Sequence, residues 1–212
     1  MRACIVADPA LGRYLEEEGE APGESPDGSL SFFVLGEAAC RGTWKPPRAD
    51  LYVLPAPLLL DLGDGAPIPA FAYGPVSLMA ELLRGGATDY LRSPWTMEEL
   101  RARACRLESP RFRLGEGLFK VAAGALASGG RQADLTESEC RILRLLAANL
   151  GRPVPRSALA LSLWGKEVEA SRAVDVHVSC LRKKLEALLP GSGQAIEACR
   201  GQGYRLVGTA CG

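Results

Sequence analysis

Residues 171–189 read SRAVDVHVSCLRKKLEALL, and after Pro190-Gly191 the chain runs on through Ala195-Ile196-Glu197-Ala198-Cys199-Arg200-Gly201-Gln202-Gly203-Tyr204-Arg205-Leu206-Val207. In the first stretch Val174, Val178, Leu181 and Leu185 recur at helical spacing, which predicts a helix from about Ser171 to Leu189 with one apolar stripe turned to a core. The other side carries Arg172, Asp175, Ser179, Arg182, Lys183 and Glu186, with Cys180 near its margin. The second stretch divides at Gly201-Gln202-Gly203 into two short strands and predicts a β-hairpin. No helix follows that Gly-x-Gly, so it is no dinucleotide-binding turn.

Upstream, Thr136-Glu137-Ser138-Glu139 has the pattern of a capping box, in which hydroxyl and carboxylate satisfy free N–H groups at a helix start. It leads into Ile142, Leu143, Leu145 and Leu146, and Gly151 and Pro153 end the helix. A second short helix spans about Arg156 to Trp164 and stops at Gly165. Before them, the runs FRL, LFKV and GALA between Phe112 and Leu135 read as antiparallel strands. Three helices followed by a hairpin describe a winged helix-turn-helix.

Over about a hundred residues this half resembles the OmpR/PhoB-type effector domains. Leu135-Thr136-Glu137-Ser138-Glu139, Leu163-Trp164-Gly165, Val174 to Val178 with Leu181-Arg182-Lys183-Lys184-Leu185, and Arg200 to Leu206 carry the likeness. The resemblance implies binding to double-stranded DNA, with base contacts around Ala173, Val176, Ser179 and Cys180. The last two positions often hold Arg in relatives, which implies a different sequence preference here. An α-helix fits the major groove, and Lys or Arg beside it neutralises phosphates. The expected DNA-binding set is Arg172, Ala173, Val176, His177, Ser179, Cys180, Arg182, Lys183, Arg200 and Arg205. For His177, phosphate binding and simple membership of the helix surface are even alternatives. In the wing, Arg200 and Arg205 suit phosphate or minor-groove contact, with Tyr204 bracing the hairpin. Relatives touch RNA polymerase through the loop that here spans about Gly165 to Ala170, where Lys166, Glu167 and Glu169 lie; a solvated connector is the alternative reading. Trp164 reads as core.

The N-terminal half predicts a doubly wound α/β, flavodoxin-like domain. Ala3 to Val6, Leu30 to Leu35, Leu51 to Leu54 and Ile68 to Tyr73 read as short strands of a parallel sheet. Helical stretches include Leu11 to Leu15, Val76 to Leu83 and Thr96 to Leu107, and the acidic Gly/Pro-rich residues 19–28 read as a loop. Gly86-Ala87-Thr88-Asp89-Tyr90-Leu91-Arg92-Ser93-Pro94-Trp95 looks like the last βα segment of response-regulator receiver domains. By that likeness the third strand ends at Pro55, where the family places its phosphate-accepting Asp. Gly74 stands at the switch Thr or Ser, Ser93 at the Lys, and Asp8 alone remains of the acidic cluster. Phosphoryl transfer to a carboxylate needs a nucleophilic oxygen, a metal and a cation. Pro55 offers no oxygen, and Asp61 and Asp64 lie beyond the strand in a Gly-rich stretch. No metal or cofactor is expected. A cis Ser93-Pro94 peptide is predicted, and the resemblance implies a homodimer through the surface from about Pro75 to Leu107.

The composition agrees with two small domains: 212 residues, 47% hydrophobic and 24% charged. Residues 1–107 hold ten Lys/Arg against fifteen Asp/Glu, a net of minus five, and residues 108–212 hold fifteen against ten, a net of plus five. A basic module tethered to an acidic one suits a DNA-binding domain carried by a regulatory domain. The expected boundaries are therefore 1–107 for the receiver-like domain and 108–212 for the winged helix. Seven single cysteines without a Cys-x-x-Cys pair, and one His, imply neither a disulfide framework nor a zinc site. No apolar run is long enough to span a membrane, which leads to the expectation of a cytoplasmic protein. No nucleophile with its base, paired carboxylates or phosphate loop points to an enzyme. Two readings stand: a transcription regulator that works as a dimer without phosphate, and an adaptor whose receiver-like domain binds a protein or small molecule that releases the DNA-binding domain. Redox sensing through Cys180 or Cys199 is a third, lesser reading.

Overall fold

The computed structural model describes residues 1–18, 22–24, 30–40, 44–122, 124–164 and 171–210. The chain divides into two compact units, Met1–Cys105 and Arg106–Gly212. No helix among the described residues is long and apolar enough to cross a membrane.

In the first unit the elements run β1 (Arg2–Ala7), α1 (Pro9–Glu17), β2 (Gly23–Glu24), β3 (Ser31–Gly36), β4 (Leu51–Pro55), α2 (Ala56–Leu62), β5 (Ala70–Gly74), α3 (Met79–Gly85), β6 (Asp89–Arg92) and α4 (Met97–Glu108). The sheet order is β2-β3-β1-β4-β5-β6, with β2 antiparallel at the edge and the remaining neighbours parallel. The five parallel strands thus follow the order 2-1-3-4-5 of a flavodoxin-like doubly wound sheet. Strands β4 and β5 are buried at every residue, as expected of parallel strands covered on both faces. On one face Cys4, Val6, Tyr52, Leu54, Ala70 and Ala72 meet Leu58, Leu59 and Leu82 from the helices. Helix α4 buries Met97, Leu100 and Ala104, the face its periodicity predicts.

Two features depart from the sequence reading. Helix α2 starts directly after Pro55 with no loop, although its residues, APLLLDL, contain a Pro and too few turns to show a period. Between β3 and β4 the described residues hold only a 3-10 turn, Glu37–Cys40, where a doubly wound sheet would ordinarily place a helix. The Ser93-Pro94 peptide is cis, as predicted, and so is Ile68-Pro69.

The second unit begins with four antiparallel strands, β7 (Arg111–Leu114), β8 (Gly117–Ala122), β9 (Ala125–Ser128) and β10 (Arg131–Asp134). Helices α5 (Glu137–Ala148), α6 (Arg156–Trp164) and α7 (Ser171–Leu188) follow, then the hairpin β11 (Ile196–Cys199) and β12 (Gly203–Leu206), and β13 (Thr209–Ala210), which returns to pair with β7. The capping box forms: Glu139 N–H donates to the Thr136 hydroxyl and Thr136 N–H to the Glu139 carboxylate at 2.7 Å. Phe112 and Phe119, stacked at 5.8 Å, are buried in this unit, as are Ile142, Leu143, Leu146, Leu159, Val174, Val178, Leu181, Leu185 and Leu206.

Candidate nucleic-acid interface

Helix α7 has no room to choose its outer face. Val174, Val178, Leu181 and Leu185 are all 0% exposed, and a period of 3.6 then turns Arg172, Val176, Ser179 and Lys183 to the opposite side. All four are exposed, Val176 to 60%. Ala173, His177 and Cys180 flank that row half-buried. The row offers a cation near each end and small or apolar side chains between.

Three residues expected on the same face are engaged inside the protein instead. Arg182 donates from Nε at 2.9 Å and Nη2 at 2.6 Å to the carbonyl of Ile196, tying α7 to the first residue of β11. Asp175 accepts from Arg156 Nε at 3.2 Å and from the Tyr204 hydroxyl. Glu186 turns back to accept from the backbone N–H groups of Gly191 and Gly193, which hold its carboxyl below the ordinary value.

The hairpin stands beside this helix. Its turn, Arg200-Gly201-Gln202, is exposed, and Arg205 on β12 is held by Glu197 across the ladder at 2.6 Å. The hydrogen bond to the Glu197 carboxylate, and then its charge, keep the Arg205 guanidinium above its ordinary pKa. Of the two wing arginines, Arg200 points its charge outward and Arg205 has a partner within the wing. Tyr204 is 4% exposed and braces the hairpin as the sequence predicts. Its strand adds a further rung to Val154, with N–H to O distances of 2.7 and 3.0 Å in the two directions. Gly203, at φ +115°, makes that approach possible, because a Cβ there would lie 2.0 Å from the Val154 carbonyl oxygen. An open groove of about 900 Å³ runs between the C-terminal half of α7 and β11, lined by Lys183, Glu186, Ala187, Gln194 and Glu197. Trp164 is half-buried at the end of α6. Lys166, Glu167 and Glu169, expected to meet RNA polymerase, lie outside the described residues.

Burial accounts for three thiols. It pushes Cys4 to about 12 and raises Cys40 and Cys140 as well, so all three stay protonated and inert at neutral pH. Cys180 and Cys199 are half-exposed.

In the first unit the C-terminal ends of the strands are closed by aromatic side chains. The buried Tyr73 hydroxyl donates to the Val6 carbonyl at 2.9 Å and accepts from Asp8 N–H at 3.0 Å, with Trp95 packed on its ring at 5.7 Å. The Asp8 carboxylate caps α1, accepting from Ala10 and Leu11 N–H. Pro55 ends β4 fully buried and stands at the N-cap of α2. At Gly74 a Cβ would meet the Tyr90 hydroxyl and Ala56 Cβ, each at 3.2 Å. Asp61 lies exposed in α2. Among the described residues no cluster of His, Cys, Asp or Glu is arranged to hold a metal ion. On the surface from Pro75 to Leu107, Arg103 grips Asp89 at 3.0 Å and Glu99 at 2.9 Å within the same chain.

The family model described as "Transcriptional regulatory protein, C terminal" matches residues 130–206, which contain α5, α6, α7 and the hairpin. The chain is 33% identical over 160 residues to the response regulator MprA of Mycobacterium sp. (strain KMS), covering 70% of this chain and 69% of that one. Among solved structures, the Thermotoga maritima response regulator DrrB, an OmpR/PhoB homologue, aligns over 98% of this chain and 99% of its own at 22% identity and TM-score 0.41. The DNA-binding domain of CpxR from E. coli aligns over 48% of this chain and 100% of its own at 31% identity and TM-score 0.40. With the helix, hairpin and sheet in place, the matched family model and the MprA relative show that the chain belongs to the OmpR/PhoB-type response regulators that carry a C-terminal winged-helix DNA-binding domain.

Proposed function

We propose that this response regulator binds specific double-stranded DNA sites as a dimer, in the cytoplasm, without receiving a phosphoryl group and without being an enzyme. The observation that carries the reading is the outward row of α7, in which Arg172, Val176, Ser179 and Lys183 are exposed over a fully buried apolar stripe. In the major groove Ala173, Val176, Ser179 and Cys180 face base edges, and Arg172, His177 and Lys183 meet phosphates on either side. Arg200 enters the neighbouring minor groove. Arg182 and Arg205 act from inside the protein, holding the wing.

A row of small and apolar groups selects by contact with thymine methyls and by shape, because a bidentate guanine contact requires an Arg or Lys at the base edge. Independence from phosphate rests on Pro55 at the strand end, on the packing of Tyr90 and Ala56 against Gly74, and on the use of Asp8 as a helix cap. With no carboxylate at the end of β4, the transferred group has no acceptor there. The receiver-like domain spans residues 1–107 and serves as the dimerisation module through α3, β6 and α4. The DNA-binding domain spans 108–212, and its loop at 165–170 meets RNA polymerase.

Selection of fragmented genomic DNA by the purified, unphosphorylated full-length protein, at near-physiological salt, tests this directly. Discrete enriched sites with half-sites about one helical turn apart are expected. Folded protein that enriches nothing would overturn the reading and favour the adaptor, in which a bound protein or small molecule must first free the DNA-binding domain.

A further inference from the structure

The winged helix contains a polar cluster that ordinary core packing does not require. Arg156 at the first turn of α6, Asp175 on α7 and Tyr204 on β12 lie 19 and 29 residues apart in sequence and meet at one point. The Tyr204 hydroxyl donates to Asp175 Oδ1 and accepts from Arg156 Nη2 at 3.3 Å, while Arg156 Nε donates to the same carboxylate oxygen. The Arg156 guanidinium lies over the Tyr204 ring at 4.7 Å, and that of Arg182 at 5.8 Å. Arg182 in turn holds the Ile196 carbonyl. One tyrosine is thus gripped from α6 and α7, and both strands of the hairpin are fastened, β11 at its base through Ile196 and β12 one residue from the turn through Tyr204. Burial first, and then the hydrogen bond to Asp175, push the Tyr204 phenol above its ordinary value, so it remains a donor at neutral pH.

We infer that Arg156, Asp175, Tyr204 and Arg182 are positioning residues that set the spacing between the recognition helix and the wing. The inference rests on the DNA-binding reading. A protein that addresses the major groove with α7 and the adjacent minor groove with Arg200 must hold the two elements at a separation matched to the duplex. Asp175 lies one helical turn before Ser179 on the helix that also carries Lys183, and Tyr204 is four residues beyond Arg200. The clasp therefore joins the two DNA-facing elements next to the residues that would touch DNA. Only Tyr204 among its members is deeply buried; the Asp175 side chain is 44% exposed and that of Arg156 35%. Exposed ion pairs contribute little to stability, which leaves geometry as the return for building the cluster.

The test uses the full-length protein and a duplex recovered by genomic selection, with Asp175→Asn, Tyr204→Phe and Arg200→Ala alone and combined. Affinity, its dependence on salt, hydroxyl-radical protection of the minor groove, methylation protection of the major groove and thermal melting are read together. Asp175→Asn and Tyr204→Phe are each expected to weaken binding roughly tenfold, the scale of one charge-assisted hydrogen bond, with melting little changed for Asp175→Asn. Minor-groove protection at the wing is expected to fade while methylation protection in the major groove persists. Arg200→Ala should cost affinity in the wild type and almost none in either clasp variant, because a misplaced wing has nothing left to lose. Additive losses, or an unchanged wing footprint in Asp175→Asn, would overturn the inference while leaving the DNA-binding reading intact. A wild-type protein that binds no duplex would overturn both.

Discussion

At the scale of single residues, neighbours in sequence have opposite roles. Arg182 and Lys183 are adjacent and both basic, yet 100° of helical rotation puts the first against the Ile196 carbonyl and leaves the second exposed. Lys183→Ala is expected to weaken binding to all duplexes alike and to reduce the salt slope by about one, the signature of a single lost phosphate contact. Ser179→Arg is expected to shift the selected sites toward guanine at one position; an unchanged preference would show that another register of α7 faces the bases. Glu139 makes a prediction about stability. It is buried, and although burial opposes its charge, hydrogen bonds from Lys184 at 2.6 Å and from Thr136 outweigh that and hold the carboxyl below its ordinary value of 4.5. A folded-state pKa depressed in this way contributes stability that is complete above about 4.5 and lost as the pH falls through the folded value. Lys184→Ala should therefore cost about 2 kcal/mol at pH 7, and less as the pH falls through the acid range, by urea denaturation.

At the scale of elements, the hairpin shows how one glycine serves a turn and another a close approach. Gly201 and Gly203 both have positive φ, at +73° and +115°, but a Cβ at Gly201 would meet nothing within 4 Å and one at Gly203 would collide with Val154. Gly201→Ala should cost only the conformational penalty, about 1 kcal/mol. Gly203→Ala should cost at least about 3 kcal/mol, because it must also push β12 away from the Val154 rung. Equal losses in denaturant melts would mean that the rung to Val154 contributes nothing. The strand ends of the first unit follow the same logic: Gly74 is required by the Tyr90 hydroxyl that fills the space beside it.

At the scale of the whole molecule, the proposal is of a regulator whose DNA affinity and association state do not respond to phosphate donors. Acetyl phosphate or beryllium fluoride with magnesium should leave both the sedimentation coefficient and the duplex affinity of the full-length protein unchanged. A change in either would return phosphate chemistry to the first unit, with Asp61 as the exposed carboxylate nearest the end of β4 in sequence.

Much of this protein was legible in one dimension because its local signals agree. The capping box at Thr136, the 3.6-residue stripe of α7, the Gly201-Gln202-Gly203 turn and the burial of β4 each rest on short-range chemistry that neighbours in sequence decide, and the helices α6 and α7 begin where their patterns place them. Helix α2 escaped because seven residues are too few to display a period, and β10, with the sequence RQAD, because its strand pairing comes from β9 and not from its own propensity. The outward row of α7 follows from its apolar stripe. Which charged side chains on that helix stay free does not, since Arg182, Asp175 and Glu186 are claimed by residues 5 to 29 positions away in the chain, and only the packed fold decides which partners come within reach. The two fold classes and the outward row of α7 follow from residue order alone, because periodicity and caps are local. Tertiary structure alone decided that Tyr73 closes the strand ends and that Arg156, Asp175 and Tyr204 meet, because hydrogen bonds across the fold depend on where distant elements cross.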